Sequence, residues 1–331
     1  MSPEDAYGRA GVSQGTADEA VSRLVGALGA ARRQTLLPSG HYANVVAVGD
    51  DLGIAITTDG VGTKLLIAEQ LGRWDTVGID CIAMNVNDVI CVGAEPIALV
   101  DYLAVDRADP EVAEQIGKGL AAGAEMAEID IVGGELAQLG EIVNGLDLAG
   151  ACFGVVAPGD LITGSGIRPG DAILGIPSSG LHSNGYTLAR SALEDLGWDD
   201  QTLGRPLGEA LLEPTTIYVR SVMALIRSAV EVRGLAHITS GGLENLLRLD
   251  ADVTYEISEP LEPGEIFKLI AERGSVADEE MHQVFNMGCG FCVVVPEGDE
   301  PEAVSILGEF HPGTRRIGSI TTGGRTVVRT S

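Results

Sequence analysis

The order of apolar and polar positions along the chain predicts strands and helices in alternation. Short apolar runs bounded by glycine, proline or aspartate predict strands, for example at 54–57 and 146–156. Longer stretches with apolar positions three and four residues apart predict helices, for example at 65–71, 75–92 and 214–229. Because strands that alternate with helices are typical of α/β proteins, the chain is predicted to have an α/β fold with mixed sheets.

Two Pro-Gly-Asp tripeptides, at 158–160 and 169–171, interrupt this pattern near the middle of the chain. A chain of 331 residues is also too long for most single hydrophobic cores. We therefore predict two α/β domains, residues 1–157 and residues 172–331, joined by a linker at 158–171.

The charge of the chain restricts its partners. There are 48 acidic and 21 basic residues, which give a formal net charge of −27. Such a surface repels phosphate backbones and anionic lipid headgroups, so neither nucleic acid nor a membrane surface is an expected partner. The sequence also lacks an N-terminal signal and an apolar run of the ~18 residues that a membrane span needs.

Five scattered cysteines indicate reduced thiols and a cytoplasmic location, because an odd and dispersed set does not suit a disulfide framework. Cys289 and Cys292 form a nominal C-x-x-C, but the pair leads directly into three valines. This context favours the beginning of a buried strand over a metal or redox site.

The first candidate site is the sequence Thr-Asp-Gly-Val-Gly-Thr-Lys, which begins at position 58 between a predicted strand and a predicted helix. Gly60 and Gly62 allow the backbone to approach a ligand closely, and backbone N–H groups at a helix start favour an anion. Thr63 adds a hydroxyl, Lys64 a positive charge, and Asp59 a carboxylate suited to Mg²⁺. The segment is not a P-loop; the alternative is a tight glycine turn with a solvated lysine and a helix-capping aspartate.

Three carboxylates stand where ligands bind in α/β domains. Asp59 ends a predicted strand, Asp88 follows Asn87 within an otherwise apolar helix, and Glu135 follows Gly134 after another strand. Together they could hold Mg²⁺ that bridges nucleotide phosphates. Taken singly, a carboxylate in such a place is more often a helix cap or a surface residue than a metal ligand.

Two histidines lie in loops rich in glycine and serine that follow predicted strands. His182 and His237 could transfer protons or contact an anion, although a histidine in a loop is more often structural. The small and polar residues around them could form anion-binding nests. They are Ser178, Ser179, Gly180, Ser183 and Asn184 around His182, and Thr239, Gly241 and Gly242 beside His237.

These motifs together resemble the phosphoribosylformylglycinamidine cyclo-ligase family, also called aminoimidazole ribonucleotide synthetases, of purine synthesis. The matching segments follow the family's order over about residues 7–295. They are 59–64, 86–88, 93–96 with 101–102, and 133–135 in the first half, and 177–186, 214–219, 236–242 and 285–288 in the second.

The resemblance implies an ATP-dependent ring closure. ATP phosphorylates the formyl-amide oxygen of the substrate, a nitrogen of the amidine attacks the activated carbon, and phosphate leaves. It also implies an N-terminal domain for ATP binding and dimerisation and a C-terminal domain for the phosphoribosyl substrate. Mg²⁺–ATP would contact Asp59, Gly60, Gly62, Thr63, Lys64, Asn87, Asp88, Gly134 and Glu135, with Asp59, Asp88 and Glu135 as metal ligands.

The same resemblance implies that His182, His237 and Lys64 are catalytic. Substrate contacts would come from Ser178, Ser179, Gly180, His182, Ser183, Asn184, Thr239, Gly241 and Gly242.

The sequence departs from the family pattern near both candidate sites. Arg9 stands close to where a phosphate-binding lysine is expected, and residues 39–44 and 136–141 differ from the usual loops. Two alternatives therefore stay open: a phosphotransferase of the same superfamily, similar to thiamine-monophosphate kinase, and a homologue that senses nucleotides without catalysis. Only the cyclo-ligase would form a new ring.

Overall fold

The structure is a computed structural model that describes residues 6–9, 14–28 and 34–330. Within this part of the chain, the strands form two six-stranded sheets, and helices accompany both, which confirms the two-domain α/β prediction. The strands are β1 (Thr35–Leu37), β2 (Asn44–Ala47), β3 (Gly53–Gly60), β4 (Glu95–Val105), β5 (Asp130–Gln138), β6 (Leu146–Val156), β7 (Ala172–Pro177), β8 (Gly234–His237), β9 (Thr254–Ile257), β10 (Cys289–Val295), β11 (Arg315–Thr321) and β12 (Thr326–Arg329).

The helices of the described residues include none that is long and apolar enough to cross a membrane. Asp109 caps one of them, since its side chain accepts hydrogen bonds from two backbone N–H groups at the helix start. The helices are α1 (Ala6–Arg9), α2 (Gln14–Leu28), α3 (Leu65–Leu71), α4 (Val77–Ile90), α5 (Pro110–Ala127), α6 (Tyr186–Ala192), α7 (Leu207–Leu211), α8 (Val219–Ile226), α9 (Glu265–Gly274), α10 (Asp278–Val284) and α11 (Glu300–Phe310).

The first sheet has the order β1-β2-β3-β6-β4-β5, in which only the β4–β5 pair is parallel. Helix α4 packs on one face of this sheet, opposite small residues of β6. A Cβ at Gly150 would lie 3.0 Å from Asn85 Nδ2, and one at Gly154 would lie 2.4 Å from Val89 Cγ1. These two glycines therefore allow α4 to lie close to the strands, which brings its polar side chains to the ends of β3 and β8.

The second sheet has the order β12-β9-β11-β7-β10-β8. Strand β10, which lies between β7 and the edge strand β8, is buried along its whole length, as the apolar sequence Cys-Gly-Phe-Cys-Val-Val-Val requires. Cys289 and Cys292 lie in this strand as free thiols with their Sγ atoms 3.6 Å apart. The interpretation of the C-x-x-C as the beginning of a buried strand is confirmed.

The prediction of one helix over 214–229 is wrong in its first part. Helix α8 covers only Val219–Ile226, and residues 213–218, which form neither helix nor strand, lie against α4. The reason is that α4 side chains bind this backbone: the Thr215 N–H donates to Asp80 Oδ1 and the Tyr218 N–H donates to Asn87 Oδ1. An N–H that is bound to a side chain of another element does not contribute to a helix of its own.

Candidate active site between the two domains

Helix α4 carries four buried polar side chains in an otherwise apolar sequence: Asp80, Asn85, Asn87 and Asp88. We call them the α4 polar set. Burial of these side chains without hydrogen bonds would cost free energy, so we expect each of them to have a partner. The partners show which segments α4 holds in place. Asn85 binds the backbone N–H and C=O of Asp59 within the first domain. The other three reach residues of the second domain.

His237 lies against Asp88 at the end of β8. Its Nδ1 is 2.9 Å from Asp88 Oδ1, and the imidazole is fully buried. Because a carboxylate only accepts hydrogen bonds, Nδ1 is the nitrogen that donates, and Nε2 remains for chemistry. Nε2 has no hydrogen-bond partner among the described residues. A buried ring nitrogen in this state is what a reacting substrate would require of a general base.

His182 presents its other nitrogen. Its Nε2 accepts from the Ser179 N–H at 3.2 Å and, at 3.5 Å, faces the Thr216 N–H. Nδ1 therefore carries the hydrogen, and this buried group has no partner among the residues that the structure describes. Burial lowers the pKa of His182 well below 6.5, and the nearby His237 and Lys64 lower it further. His182 is thus a neutral hydrogen-bond donor.

The backbone around His182 is specialised. His182 has φ 60°, a left-handed conformation that is uncommon outside glycine. A Cβ at Gly290 in β10 would lie 2.6 Å from His182 Cε1, so the ring can occupy its place only because that position is glycine.

Asp59 lies within β3, because this strand continues three residues beyond its predicted end at position 57. Burial raises its pKa to about 6, and the charge of Asp88 contributes to the rise, which places the two carboxylates near each other. The Gly60 N–H donates to Asp59 Oδ1 at 2.7 Å. His237 and Arg248 both lower this pKa through their charges, so they also belong to the neighbourhood. Arg248 stands over the Tyr42 ring, 4.8 Å from its centroid.

Lys64 is not the solvated lysine of the sequence-based alternative. Its side chain is fully buried, and Nζ contacts Asp80 Oδ1 at 2.9 Å and Oδ2 at 2.8 Å. Nζ also donates to the carbonyl oxygens of Glu213 at 2.7 Å and His182 at 3.3 Å. With these acceptors around it, Nζ has no free hydrogen to offer a nucleotide phosphate, so the expected direct contact does not fit this arrangement.

Asn87 is likewise bound to protein groups. Its Nδ2 donates to the Thr216 carbonyl at 2.9 Å, and its Oδ1 accepts the Tyr218 N–H at 3.0 Å. Gly62 and Thr63 are exposed beside the His182 loop, and Thr63 Oγ1 lies 3.2 Å from Thr187 Oγ1. The exposed part of the motif is therefore its glycine and threonine.

Gly134 and Glu135 lie within β5 and are exposed, on the far side of the first sheet from Asp59. The sheet register aligns Gly60 with Ala149, Ala149 with Tyr102, and Tyr102 with Glu135. Three strand spacings of ~4.8 Å put about 14 Å between the backbones of Gly60 and Glu135. One chain therefore does not bring the three predicted metal ligands together, and a role for Glu135 stays a prediction that needs a second chain.

The predicted substrate loop 178–184 packs against residues 214–215 and Asn286. Ser179 Oγ donates to the Pro214 carbonyl, Ser178 Oγ donates to Asn286 Oδ1, and Ser183 Oγ lies 3.1 Å from Thr215 Oγ1. Gly180 borders, with both serines of the loop, a cavity of about 470 Å³. Asn184 is partly exposed beside Ser183.

Backbone hydrogen bonds use two N–H groups of the 239–242 loop. The N–H of Gly241 donates to Gln283 O and the N–H of Gly242 donates to Thr239 O, so these two groups do not form the expected nest. A Cβ at Gly242 would lie 2.0 Å from His282 O, which explains the glycine by packing.

Sequence reasoning missed Asp80, Thr215 and Arg248. Asp80 looks like a surface residue near a helix start, and only its spacing of seven residues from Asn87 indicates a shared helix face. Arg248 ends the turn Gly242–Arg248, where a basic residue is explained by the helix dipole alone. The side chain of Arg9 lies outside the described residues.

Mg²⁺ is the metal ion that the carboxylates of the candidate site would suit. Among the described residues, no group of three or more His, Cys, Asp or Glu side chains is close enough to hold a metal by itself. Asp59 and Asp88 are close enough to raise the pKa of Asp59. Mg²⁺ is commonly bound through one or two carboxylates together with substrate phosphates, so this pair fits the ion when a nucleotide is present.

Comparisons with known proteins agree on one family. The model of the AIR synthase related protein, N-terminal domain, matches residues 40–156, and that of the C-terminal domain matches residues 168–331. Phosphoribosylformylglycinamidine cyclo-ligase of Methanothermobacter thermautotrophicus is 54% identical over 87% of this chain and 86% of its own length. The protein of that name from Pyrococcus furiosus is 55% identical over 82% of this chain and 80% of its own length.

Solved structures share the fold at lower identity. A HypE–HypF complex matches with a TM-score of 0.65 and 21% identity, over 88% of this chain and 90% of that chain. AaThiL complexed with AMPPCP and TMP matches with a TM-score of 0.62 and 19% identity, over 88% of this chain and 87% of that chain. At these identities the matches establish the fold and nothing finer.

Proposed function

The chain belongs to the phosphoribosylformylglycinamidine cyclo-ligase family, and from that premise we propose that it closes the imidazole ring of aminoimidazole ribonucleotide at the expense of ATP. The observation that carries the proposal is the pair of buried histidines at the domain boundary. Each presents a ring nitrogen that has no hydrogen-bond partner within residues 6–9, 14–28 and 34–330. A substrate that gains and loses protons during ring closure would complete both.

The proposed reaction has two steps. The formyl-amide oxygen of formylglycinamidine ribonucleotide takes the γ-phosphoryl group of ATP, and the bond between that group and ADP breaks. An amidine nitrogen then forms a bond to the formyl carbon, the carbon–oxygen bond breaks, and inorganic phosphate leaves. The amide nitrogen and the attacking nitrogen each lose one proton, and a proton moves from the neighbouring CH₂ carbon to the amidine nitrogen that becomes the amino group. The protein therefore has to position both substrates, stabilise charge on the formyl oxygen and accept a proton.

The two histidines suit two of these tasks. His237 Nε2 is the free nitrogen of a ring held by Asp88, and we assign it the proton of the attacking nitrogen. His182 Nδ1–H is a neutral donor, and we assign it to the formyl oxygen as charge develops there. Ser178, Ser179, Gly180, Ser183, Asn184 and the 239–242 loop would form the walls that hold the phosphoribosyl group.

We propose that Asp59 and Asp88 hold Mg²⁺ together with the nucleotide phosphates, where the ion would neutralise phosphate charge when bound. Gly60, Gly62 and Thr63 would face the phosphates, since this part of the motif is partly or fully exposed beside the histidine loop. Lys64 and Asn87 would support the site through the backbone of 213–218 instead of touching the nucleotide.

A homodimer is the proposed assembly. The face of the first sheet opposite α4 carries partly exposed apolar side chains, with Ile56 36% and Tyr102 44% exposed. We call this face, with Ile54, Ile56, Val100, Tyr102, Ala151, Phe153 and Glu135, the open face. A second copy that covers it would bury the apolar residues and carry its Gly134 and Glu135 towards a nucleotide.

The division at 1–157, 158–171 and 172–331 and a cytoplasmic location also remain proposals. One sheet lies on each side of the linker, and all five cysteines are free and buried, as reduced thiols would be.

The function is tested by turnover with formylglycinamidine ribonucleotide, ATP and Mg²⁺, following ADP and aminoimidazole ribonucleotide together. Equal amounts of both products are expected. ADP without the imidazole would overturn ring closure in favour of a phosphotransferase or ATP hydrolysis. Neither product, with ATP still bound, would overturn it in favour of a nucleotide sensor.

A further inference from the structure

We propose that Asp80 is a positioning residue that fixes the orientation and tautomer of His182 across the domain boundary, through Lys64 on one side and Thr215 on the other. Asp80 is far from His182 in sequence, and its side chain is fully buried among protein groups. The inference rests on the proposed function only where it concerns turnover, since the state of the His182 ring can be measured without substrate.

The first route runs through Lys64 to the backbone of His182. Asp80 contacts Lys64 Nζ through both carboxylate oxygens, at 2.9 and 2.8 Å, and both side chains are fully buried. This contact orients Nζ so that it donates to the carbonyl oxygens of Glu213 and His182. One ammonium therefore joins the two loops that border the histidine. His182 has a left-handed φ, which costs free energy in a residue other than glycine and persists only where surrounding contacts hold it.

The second route runs through Thr215 to the ring itself. Asp80 Oδ1 accepts the Thr215 N–H at 2.8 Å and the Thr215 hydroxyl at 2.6 Å. The next residue, Thr216, points its N–H at His182 Nε2, and its carbonyl is held by Asn87. The Thr215 hydroxyl also lies 3.1 Å from Ser183 Oγ, next to the histidine. Asp80 thus fixes the peptide that faces the acceptor nitrogen of the ring.

The two routes converge on one chemical consequence. If Nε2 is held as an acceptor, the hydrogen stays on Nδ1, which is the nitrogen without a partner in the described part of the chain. Without the restraint, the ring can rotate or change tautomer, and the donor no longer points into the site. A misplacement of about 1 Å at a reacting group can reduce the rate about 100-fold.

A buried ion pair can also be purely structural, and the two roles predict different results. Replacement of a buried pair by apolar residues of similar volume is often neutral or stabilising, whereas removal of one partner destabilises the fold. A structural role would therefore be restored by an apolar pair. A positioning role would not, because methionine and leucine cannot hold the carbonyl of His182 or the N–H of Thr215.

The test compares Asp80→Asn with the double variant Lys64→Met/Asp80→Leu. We expect both to lose turnover about 100-fold, while KM for ATP changes less than about threefold. The double variant is expected to unfold at or above the temperature at which Asp80→Asn unfolds. Recovery of turnover in the double variant would overturn the proposal, since activity would then follow stability.

The matched control is Asp171→Asn, which removes the carboxylate of another buried ion pair, 2.7 Å from Arg233 in the second domain. It is expected to lower the unfolding temperature and leave turnover unchanged at temperatures where the protein is folded. An equal loss of turnover in this control would also overturn the proposal, because any buried ion pair would then have the same effect.

A second readout is independent of activity. In ¹⁵N-histidine-labelled protein, His182 Nε2 is expected to show the signal of an unprotonated acceptor and Nδ1 that of a protonated nitrogen. His182→Asn identifies the signals. We expect the double variant to show a mixture of tautomers. If the double variant shows the same signals as the wild type, the positioning proposal is contradicted even if turnover falls. If the signals change in the double variant but the wild type does not form the imidazole, the positioning proposal stands and the proposed function fails.

Discussion

The domain boundary and the open face of the first sheet handle burial in opposite ways. At the boundary, Lys64, Asp80 and Asp88 are buried and paired within one chain. On the open face, Ile56 and Tyr102 are apolar and partly exposed, and Glu135 is exposed as well. A buried charge without a partner would cost several kcal/mol, about as much as the whole fold can bear, so its partner has to come from the same chain. An exposed apolar face costs far less, and a second subunit can cover it after folding. The comparison supports our two proposals, that the reacting groups come from one chain and that a second chain packs on the open face.

The largest effect is expected from His237→Ala at the domain boundary. The variant removes the ring that Asp88 orients, and turnover should fall 10²- to 10⁴-fold, as for other general bases. ATP affinity should fall much less than turnover, because the proposed nucleotide contacts come from Asp59 to Thr63 and from Asp88, and the variant leaves all of these residues in place. Single-turnover kinetics and nucleotide titration measure the two effects separately. A selective loss of ATP binding would instead place His237 in the nucleotide site.

The open face is tested by Ile56→Asp. A charge placed among Phe153, Val100 and the same residues of a second copy would be desolvated in a dimer, so the dimer should dissociate at least about 100-fold more readily. Sedimentation velocity over a range of concentrations measures the shift. The control is Val328→Asp on β12, which is 40% exposed on the second sheet. If both variants behave alike, the open face is not the interface.

A smaller effect is expected from Asp59→Asn. The change removes one of two carboxylates near the proposed Mg²⁺, and affinity for Mg²⁺–ATP should fall about tenfold, or about 1.4 kcal/mol. Nucleotide binding measured across a Mg²⁺ titration reports it. Unchanged affinity at every Mg²⁺ concentration would remove Asp59 from the metal site.

Glu135→Gln separates the boundary from the open face in the same assay. Glu135 is too far from Asp59 to share a ligand within one chain, so the substitution should weaken Mg²⁺–ATP only in the dimer. Measurement in the Ile56→Asp background distinguishes the cases. Weakened binding in a monomer would show that our placement of Glu135 is wrong.

The smallest effect concerns pH and stability. Burial holds the folded pKa of His182 below 6.5, so the unfolded chain binds its proton first as pH falls. The free energy of unfolding is therefore unaffected by His182 above pH 6.5. Below pH 6.5 it falls by up to about 1.4 kcal/mol per pH unit, because protonation of His182 favours the unfolded chain. Urea unfolding at pH 5.5 and 7.5 measures this loss. His182→Asn, which tolerates the left-handed backbone, should show a smaller difference, and an equal one would contradict the assignment.

Local sequence signals predicted most of the fold. Strand 146–156 and helix 65–71 have the predicted bounds because alternation and period are properties of the segments themselves. Segment 214–218 was predicted as helix because its own residues permit one. Its non-helical form depends on Asp80 and Asn87, more than a hundred positions earlier, which no local pattern can reveal.

The site shows the same division. His182, His237, Asp59 and Asp88 stand in conspicuous glycine-rich or polar contexts, and the structure brings all four to the domain boundary. Lys64 was placed in the right segment, but its burial could not be read from the motif, since burial depends on Asp80 and the carbonyls of two distant loops. The roles of these residues in binding and catalysis stay predictions.

The central claim is that one chain supplies the reacting groups at its own domain boundary. A heterodimer of a His237→Ala chain and an Asp59→Asn chain, purified through two different tags, tests it most directly. With Mg²⁺–ATP held well below the concentration that saturates the wild type, an Asp59→Asn site should turn over about tenfold more slowly. If Asp59 and His237 act within one chain, both sites of the heterodimer carry a lesion, and its turnover should not exceed the mean of the two variant homodimers. If the two residues act across the dimer, one site is intact, and recovery of about half the wild-type turnover would contradict the account.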